Sequence, residues 1–198
     1  MIRREQAERT RELLLDAAAE EFWLHGLGGT RIQDVLDRTQ MTKGGLYHHF
    51  TNKQEMAEAL VAQEAERWPA LILDVVETGL RGLPALEAFF RAVAVRLDDD
   101  VRARAVLRIT DELDAPGENS ANSAFMLWHD FVILGLQQGI ADGEVPDSIA
   151  IREVAATVVE CVYGVCVSSA PMSQPSDAPT RLDRLWTVLG PGLRSATG

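Results

Sequence analysis

Apolar residues recur at helical spacing almost from end to end of this chain, whereas the strict alternation of a half-buried strand is hard to find. No other feature limits the fold as much. Stripes of that period are buried by packing helix against helix, so the expected class is all-α, and 198 residues are enough to enclose a sizeable core. The first helix, about Arg4 to Leu24, steps Leu14, Ala18 and Phe22 along one inner stripe. The run His25-Gly26-Leu27-Gly28-Gly29 then ends it, glycine being the residue that accepts a left-handed helix terminus.

Three further helix starts crowd into residues 30–54. Thr30 and Gln33 have the spacing of a capping box ahead of a short second helix, Arg31 to Thr39, with Ile32, Val35, Leu36 and Thr39 on its inner face. Thr42 can cap a third helix, Lys43 to His49, and Thr51 with Gln54 repeats the capping-box spacing before a long fourth helix with Met56 and Leu60 inside. Trp68-Pro69 should kink or break that helix. Later starts fall at Pro84 and near Asp100, and 114–122 and 171–179 are turn-rich. Between those turns lie helices of about Ser123 to Asp142 and Ser148 to Ser169, the second with Asp147 as a candidate cap, and a last helix occupies about 180–190. The expected division is 1–53 as a small three-helix domain and 54–198 as a larger helical bundle.

Charge bears on partners. The chain carries −11 overall, which argues at first sight against nucleic acid. From Met1 to Lys53, however, eight Lys or Arg face eight Asp or Glu, so the acidity belongs to the remainder. A neutral N-terminus with basic residues at selected positions can still contact phosphates. Ile2 gives way at once to Arg3, Arg4 and Glu5, so no secretory signal is read and a cytoplasmic location is expected. The most apolar stretch, Val154 to Ala170, is short for a membrane span and contains Glu160, and no membrane association is expected. Cys161 and Cys166 have neither metal-ligand nor C-x-x-C spacing and read as reduced, buried thiols.

The second and third helices are separated by Gln40-Met41-Thr42, the spacing of a helix-turn-helix. In such a unit the N-terminal part of the second helix enters the major groove, so its outward residues must be small or able to hydrogen-bond. Lys43, Gly44, Gly45, Tyr47 and His48 meet that demand, while Leu46 and Phe50 should face inward. Two glycines in a helix are unfavourable, a cost more easily understood where a backbone must approach DNA. Thr42 can offer a hydroxyl and a helix N-terminus to phosphate, and Lys43, His49 and Lys53 can donate around it, with Arg31 and Gln33 joining from the preceding helix. Spacing alone also fits two core helices with a solvated polar face. Adjacent His48 and His49 point about 100° apart on a helix and have no partner one turn on, so no metal is expected, nor any cofactor. His25 and His129 read as isolated capping or surface residues.

The wording decides between the two readings. Thr42 to Phe50 (T-K-G-G-L-Y-H-H-F) followed by Asn52-Lys53, and preceded by G-L-G-G-T-R-I-Q-D-V from Gly26 to Val35, closely resembles the DNA-binding domain of TetR-family repressors over residues 5–65. The resemblance implies DNA contacts, mostly to phosphates, from the residues matching Thr42, Lys43, Gly45, Tyr47, His49 and Lys53. Arg31 stands where a second threonine is usual and His48 where an aromatic is frequent, two departures that bear on operator preference.

For the rest of the chain the helix order, the position of Trp128 and the wording T-K-G-x-L-Y resemble the γ-butyrolactone receptors of actinomycetes. That resemblance implies a tryptophan at Trp128 covering a small apolar effector, with Phe89, Leu107, Phe125 and Val158 as candidate walls, although a large aromatic here also suits ordinary packing. The helix at 148–169 is apolar almost all round, and the last helix presents Leu182, Leu185, Trp186 and Leu189 on one face. Together they suit a four-helix homodimer interface that would set two recognition helices on successive major grooves of a near-palindromic operator. The implied activity is a repressor released by its effector, with the fourth helix as lever. The nearest alternative is a TetR-type pseudo-receptor or drug-responsive regulator, and a more remote one a helical scaffold that binds no DNA. No nucleophile with a base, metal cluster or phosphate loop stands out, so an enzyme is not expected.

Overall fold

The computed structural model describes residues 2–109, 112–113, 122–172 and 178–194, and among them there are helices and no strand. In chain order they are α1 (Ile2–Gly29), α2 (Ile32–Thr39), α3 (Lys43–Tyr47), α4 (Lys53–Glu77), α5 (Gly82–Asp99), α6 (Val101–Ile109), α7 (Asn122–Ala141), α8 (Ile151–Met172) and α9 (Ala178–Leu193). Of the two turn-rich stretches expected from the sequence, 114–121 and 173–177 lie outside the described residues. No described helix is long and apolar enough to cross a membrane.

Packing divides the chain into two units, one of 1–65 with 100–122 and the other of 66–99 with 123–198. The first therefore reaches past residue 53 and takes in α6. Its core is the expected α1 stripe of Leu14, Ala18 and Phe22, closed by Val35 and Leu36 of α2, Leu46, Phe50, Met56 and Leu60, with Ala105, Val106 and Ile109 of α6 completing it. Arg102 binds these elements electrostatically. Its guanidinium donates to Asp16 Oδ1 at 2.7 Å, Glu12 Oε2 at 2.6 Å, Gln63 Oε1 at 2.9 Å and the Glu12 carbonyl at 3.0 Å, joining α1, α4 and α6.

Burial alone would raise the Glu12 carboxyl, but the hydrogen bond and charge of Arg102 outweigh it and hold the group below its ordinary 4.5. A depressed carboxylate stabilises the fold above that value and loses its contribution as pH falls through the folded one. Arg102→Met should therefore lower unfolding free energy at neutral pH by about 2–4 kcal/mol, below the upper range for breaking buried pairs because both carboxylates keep some water. In urea titrations the variant should also lose less stability than wild type between pH 5 and pH 3. Parallel pH profiles would remove Arg102 from this role.

Two cap registers differ from the sequence reading, each by one residue. Arg31 caps α2, because Asp34 Oδ2 accepts the Arg31 N–H at 2.9 Å, while the hydroxyl of buried Thr30 donates instead to the Gly26 carbonyl at 2.7 Å. At α4, Asn52 Oδ1 accepts the Glu55 N–H at 2.9 Å and Glu55 Oε2 accepts both Thr51 donors, which hold its carboxyl below the usual range. Two further expectations also change. Pro69 does not break α4, which continues to Glu77, and Asp147 does not cap α8, which opens at Ile151.

In the second unit α7 lies close against α5. A Cβ on Gly135 would sit 2.5 Å from Leu86 Cδ2, so only glycine permits the approach. Arg91 of α5 pairs with Asp183 of α9 at 2.8 Å on the surface. Cys161 and Cys166 are both free, and burial pushes the Cys166 thiol up to about 12 against the pull of Arg181, so its thiolate is scarce at neutral pH.

Candidate nucleic-acid interface

The helix-turn-helix is α2, the turn at 40–42 and α3. Gln40 ends α2 in the left-handed region (φ 54), which turns the chain within one residue. Arg38 anchors α2 to α1 by pairing with Glu20 and Glu21. Thr42 then opens α3 as its N-cap, its hydroxyl accepting the Gly45 N–H at 3.2 Å. The helix closes at Tyr47, two residues earlier than expected, with the Phe50 N–H bonded to the Leu46 carbonyl at 3.0 Å.

Leu46 and Phe50 are buried in the core, and this anchors α3 with its other face outward. Thr42, Lys43, Gly44 and His48 are exposed, Tyr47 is 48% exposed, and Gly45 and His49 are half-buried. These seven side chains and backbone segments share one short surface. Around Gly44 there is open space, whereas a Cβ on Gly45 would crowd Met41 Cε at 3.2 Å. Neither residue has positive φ, so backbone strain requires glycine at neither. The His48 and His49 rings meet edge to face at 5.3 Å. His25 stands 3.5 Å from Glu21 and His129 3.6 Å from Asp130.

The remaining expected donors are placed differently. Gln33 is exposed and its amide donates to Asp37 Oδ1 at 2.7 Å. Arg31 is exposed on an open polar groove with Glu21, His25, Asp34, Asp37 and Arg38, so its guanidinium shares its surroundings with three carboxylates. Lys53 is turned inward: its ammonium donates to the carbonyls of Leu27 at 2.6 Å, Gly28 at 3.2 Å and Thr30 at 3.0 Å.

Residues 14–60 match the model of the bacterial regulatory proteins of the tetR family, a span that contains all of α2 and α3 and most of the core beneath them. The chain's helix-turn-helix is that of the tetR-family regulatory proteins over those residues. The chain is 26% identical over 175 residues, 83% of each chain, to the probable HTH-type transcriptional regulator ArpR of Pseudomonas putida. It shares 26% identity and a TM-score of 0.84 with the TetR family protein CprB from Streptomyces coelicolor, solved in complex with its biological operator sequence, covering 97% of this chain and 92% of that one. A γ-butyrolactone receptor, an ArpA-like protein, shares the fold with a TM-score of 0.79 at 24% identity over 96% of this chain and 90% of that one.

Of the five effector-site candidates, the second unit brings three together. Trp128 packs edge-on against Phe89 at 6.2 Å and Phe125 at 5.8 Å. Val158 is buried on α8, and Leu107 is buried on α6, in the first unit. The sequence reading missed Trp68, which stands edge-on to Trp128 at 5.2 Å with the Arg96 guanidinium 5.5 Å above its ring, and Tyr163, 4.8 Å from Phe125. The four-residue stride Met56, Leu60, Glu64, Trp68, all buried, was the available signal. At the centre of this aromatic group the buried indole N–H of Trp128 meets no acceptor among the described residues.

Proposed function

We propose that this regulator is a repressor that holds duplex DNA through α3 and is released by a small, largely apolar effector carrying a hydrogen-bond acceptor. The exposed, glycine-bearing face of α3, fixed outward by Leu46 and Phe50, carries the DNA part of the reading. Residues 1–53 make the contacts: Thr42, Lys43, Gly44, Gly45, Tyr47, His48 and His49 on or next to the recognition helix, with Arg31 and Gln33 beside it. Residues 54–198 sense the effector and pair two copies through α8 and α9, where Val188 is 75% exposed and Leu185, Trp186 and Leu189 are half-buried. Trp128, with Phe89, Phe125 and Val158, supplies the apolar lining. An uncompensated buried N–H is costly, so an acceptor oxygen on the effector is the group that would complete this site. α4 contributes residues to both units and serves as the lever between two arrangements of the dimer.

The test is enrichment of duplexes from a randomised pool by the purified chain, followed by competition with alkyl γ-lactones and with matched cyclic hydrocarbons. The expected product is a near-palindromic site whose affinity falls steeply with salt, by a log–log slope of about 0.9 per phosphate neutralised. Lactones should weaken binding about 5- to 150-fold, the range of a typical allosteric coupling. Absence of any enriched sequence would end the DNA reading, and lactones that bind equally well to free and DNA-bound protein would end the effector reading.

A further inference from the structure

The elbow joining α1 to α2 is gripped from two sides by side chains distant in sequence. Gly26 breaks α1 with φ 71, and a Cβ there would fall on Glu112 Oε1, so the missing side chain is what admits that carboxylate. Glu112 then accepts the Gly28 N–H at 2.7 Å, across 84 positions. On the other side the Lys53 ammonium takes the carbonyls of Leu27, Gly28 and Thr30. Gly28 is thus held by an anion at its N–H and by a cation at its carbonyl. Helix ends leave such groups without intrahelical partners, and here each receives a charge of the matching sign, which makes the stronger kind of hydrogen bond. An ammonium has three donors, and all three of Lys53's are engaged.

We infer that Lys53 and Glu112 are positioning residues for DNA recognition, neither of which touches the duplex. α2 is eight residues long and starts three residues after Gly29, so the pose of the elbow sets where α2, and the recognition helix after it, can stand. Recognition groups must be held to about 0.5 Å to be effective, a tolerance that an elbow containing three glycines lacks unless its backbone groups are tied. This inference rests on the DNA-binding reading proposed above, but the clamp itself can be measured without DNA.

Amide exchange at Gly28 is the direct measurement. Glu112→Leu should speed it at least tenfold, and Glu112→Gln, which keeps an acceptor oxygen, should restore most of the protection. Equal Gly28 exchange in wild type and Glu112→Leu would overturn the clamp. The second measurement uses a duplex that the wild-type chain enriches from a randomised pool. Lys53→Met should weaken binding at least tenfold with an unchanged log–log salt slope, because no phosphate contact is lost. A slope shallower by about 0.9 would make Lys53 a phosphate donor and overturn its positioning role. Should Lys53→Met fail to fold, Glu112→Leu, at an exposed position, carries the same salt-slope test. A wild-type chain that enriches no duplex would remove the DNA reading and the positioning role with it, while the Gly28 result would still decide whether the clamp exists.

Discussion

Gly44→Glu should lower duplex affinity at least 100-fold without lowering the unfolding midpoint of the protein. Gly44 lies on the exposed face of α3, and nothing of the protein lies within 4 Å of where its Cβ would be, so a side chain there meets solvent in the free chain. Glycine in a helix is less favourable than alanine by about 1 kcal/mol, and neither packing nor φ offsets that here. On the DNA-binding reading proposed above, the offset comes from outside, where a phosphate backbone needs close approach. A carboxylate at this point would collide with that backbone and repel it. Like charges brought together at an interface cost several kcal/mol, and each 1.4 kcal/mol is a factor of ten in affinity. Gly44→Ala separates the two effects: it should stabilise the fold by about 0.5–1 kcal/mol while still weakening DNA binding. Duplex affinity unchanged in both variants would place the interface elsewhere on the protein. Thermal melts read the stability arm and fluorescence anisotropy on the enriched duplex reads the other.

What could be read from the sequence was mostly periodicity. Leu14, Ala18, Phe22, Leu46, Phe50, Met56 and Leu60 fall in the core because the side-chain direction of a helix follows from residue spacing alone. The three-residue turn between α2 and α3 was equally legible, since it rests on local geometry. Caps were less so. Thr30 with Gln33 and Thr51 with Gln54 have the right letters, yet Asp34 and Glu55, one residue further on in each case, carry the full charge that competes best for an N–H. The competing partner of Thr30, the Gly26 carbonyl, becomes available only because α1 breaks there. Long-range polar contacts were beyond reach. Lys53 is drawn to carbonyls more than twenty positions away, and Arg102 and Glu112 act on α1 from across more than eighty; no period or motif encodes such pairs. Trp68 was obscured by Pro69, whose presence suggested a break when the helical stride through Glu64 pointed to continuation.

Trp128→Ala should cost about 3–5 kcal/mol of stability, as truncation of a large buried aromatic does, and lower Tm by roughly 6–20 °C for a chain of this size. The ring is fully buried and touches Trp68, Phe89 and Phe125, three aromatic contacts that a methyl group cannot replace. That variant therefore reports on the core and says little about the effector, because any loss of ligand binding could follow from loosened packing. Trp128→Phe isolates the chemistry. It retains most of the apolar body and removes the N–H that no described residue accepts, so the stability cost should stay below about 2 kcal/mol: deleting an unsatisfied donor offsets part of the lost volume. If an effector oxygen takes that N–H, a γ-lactone should lose roughly tenfold or more in affinity for Trp128→Phe, while a hydrocarbon of the same shape binds both proteins alike, since a buried hydrogen bond is worth about 1–3 kcal/mol when its partner is stranded. Calorimetric titration of both compounds against both proteins decides it. Equal losses for lactone and hydrocarbon would reduce Trp128 to a shape-filling wall, and no loss for either would take it out of the effector site while leaving its place in the core intact.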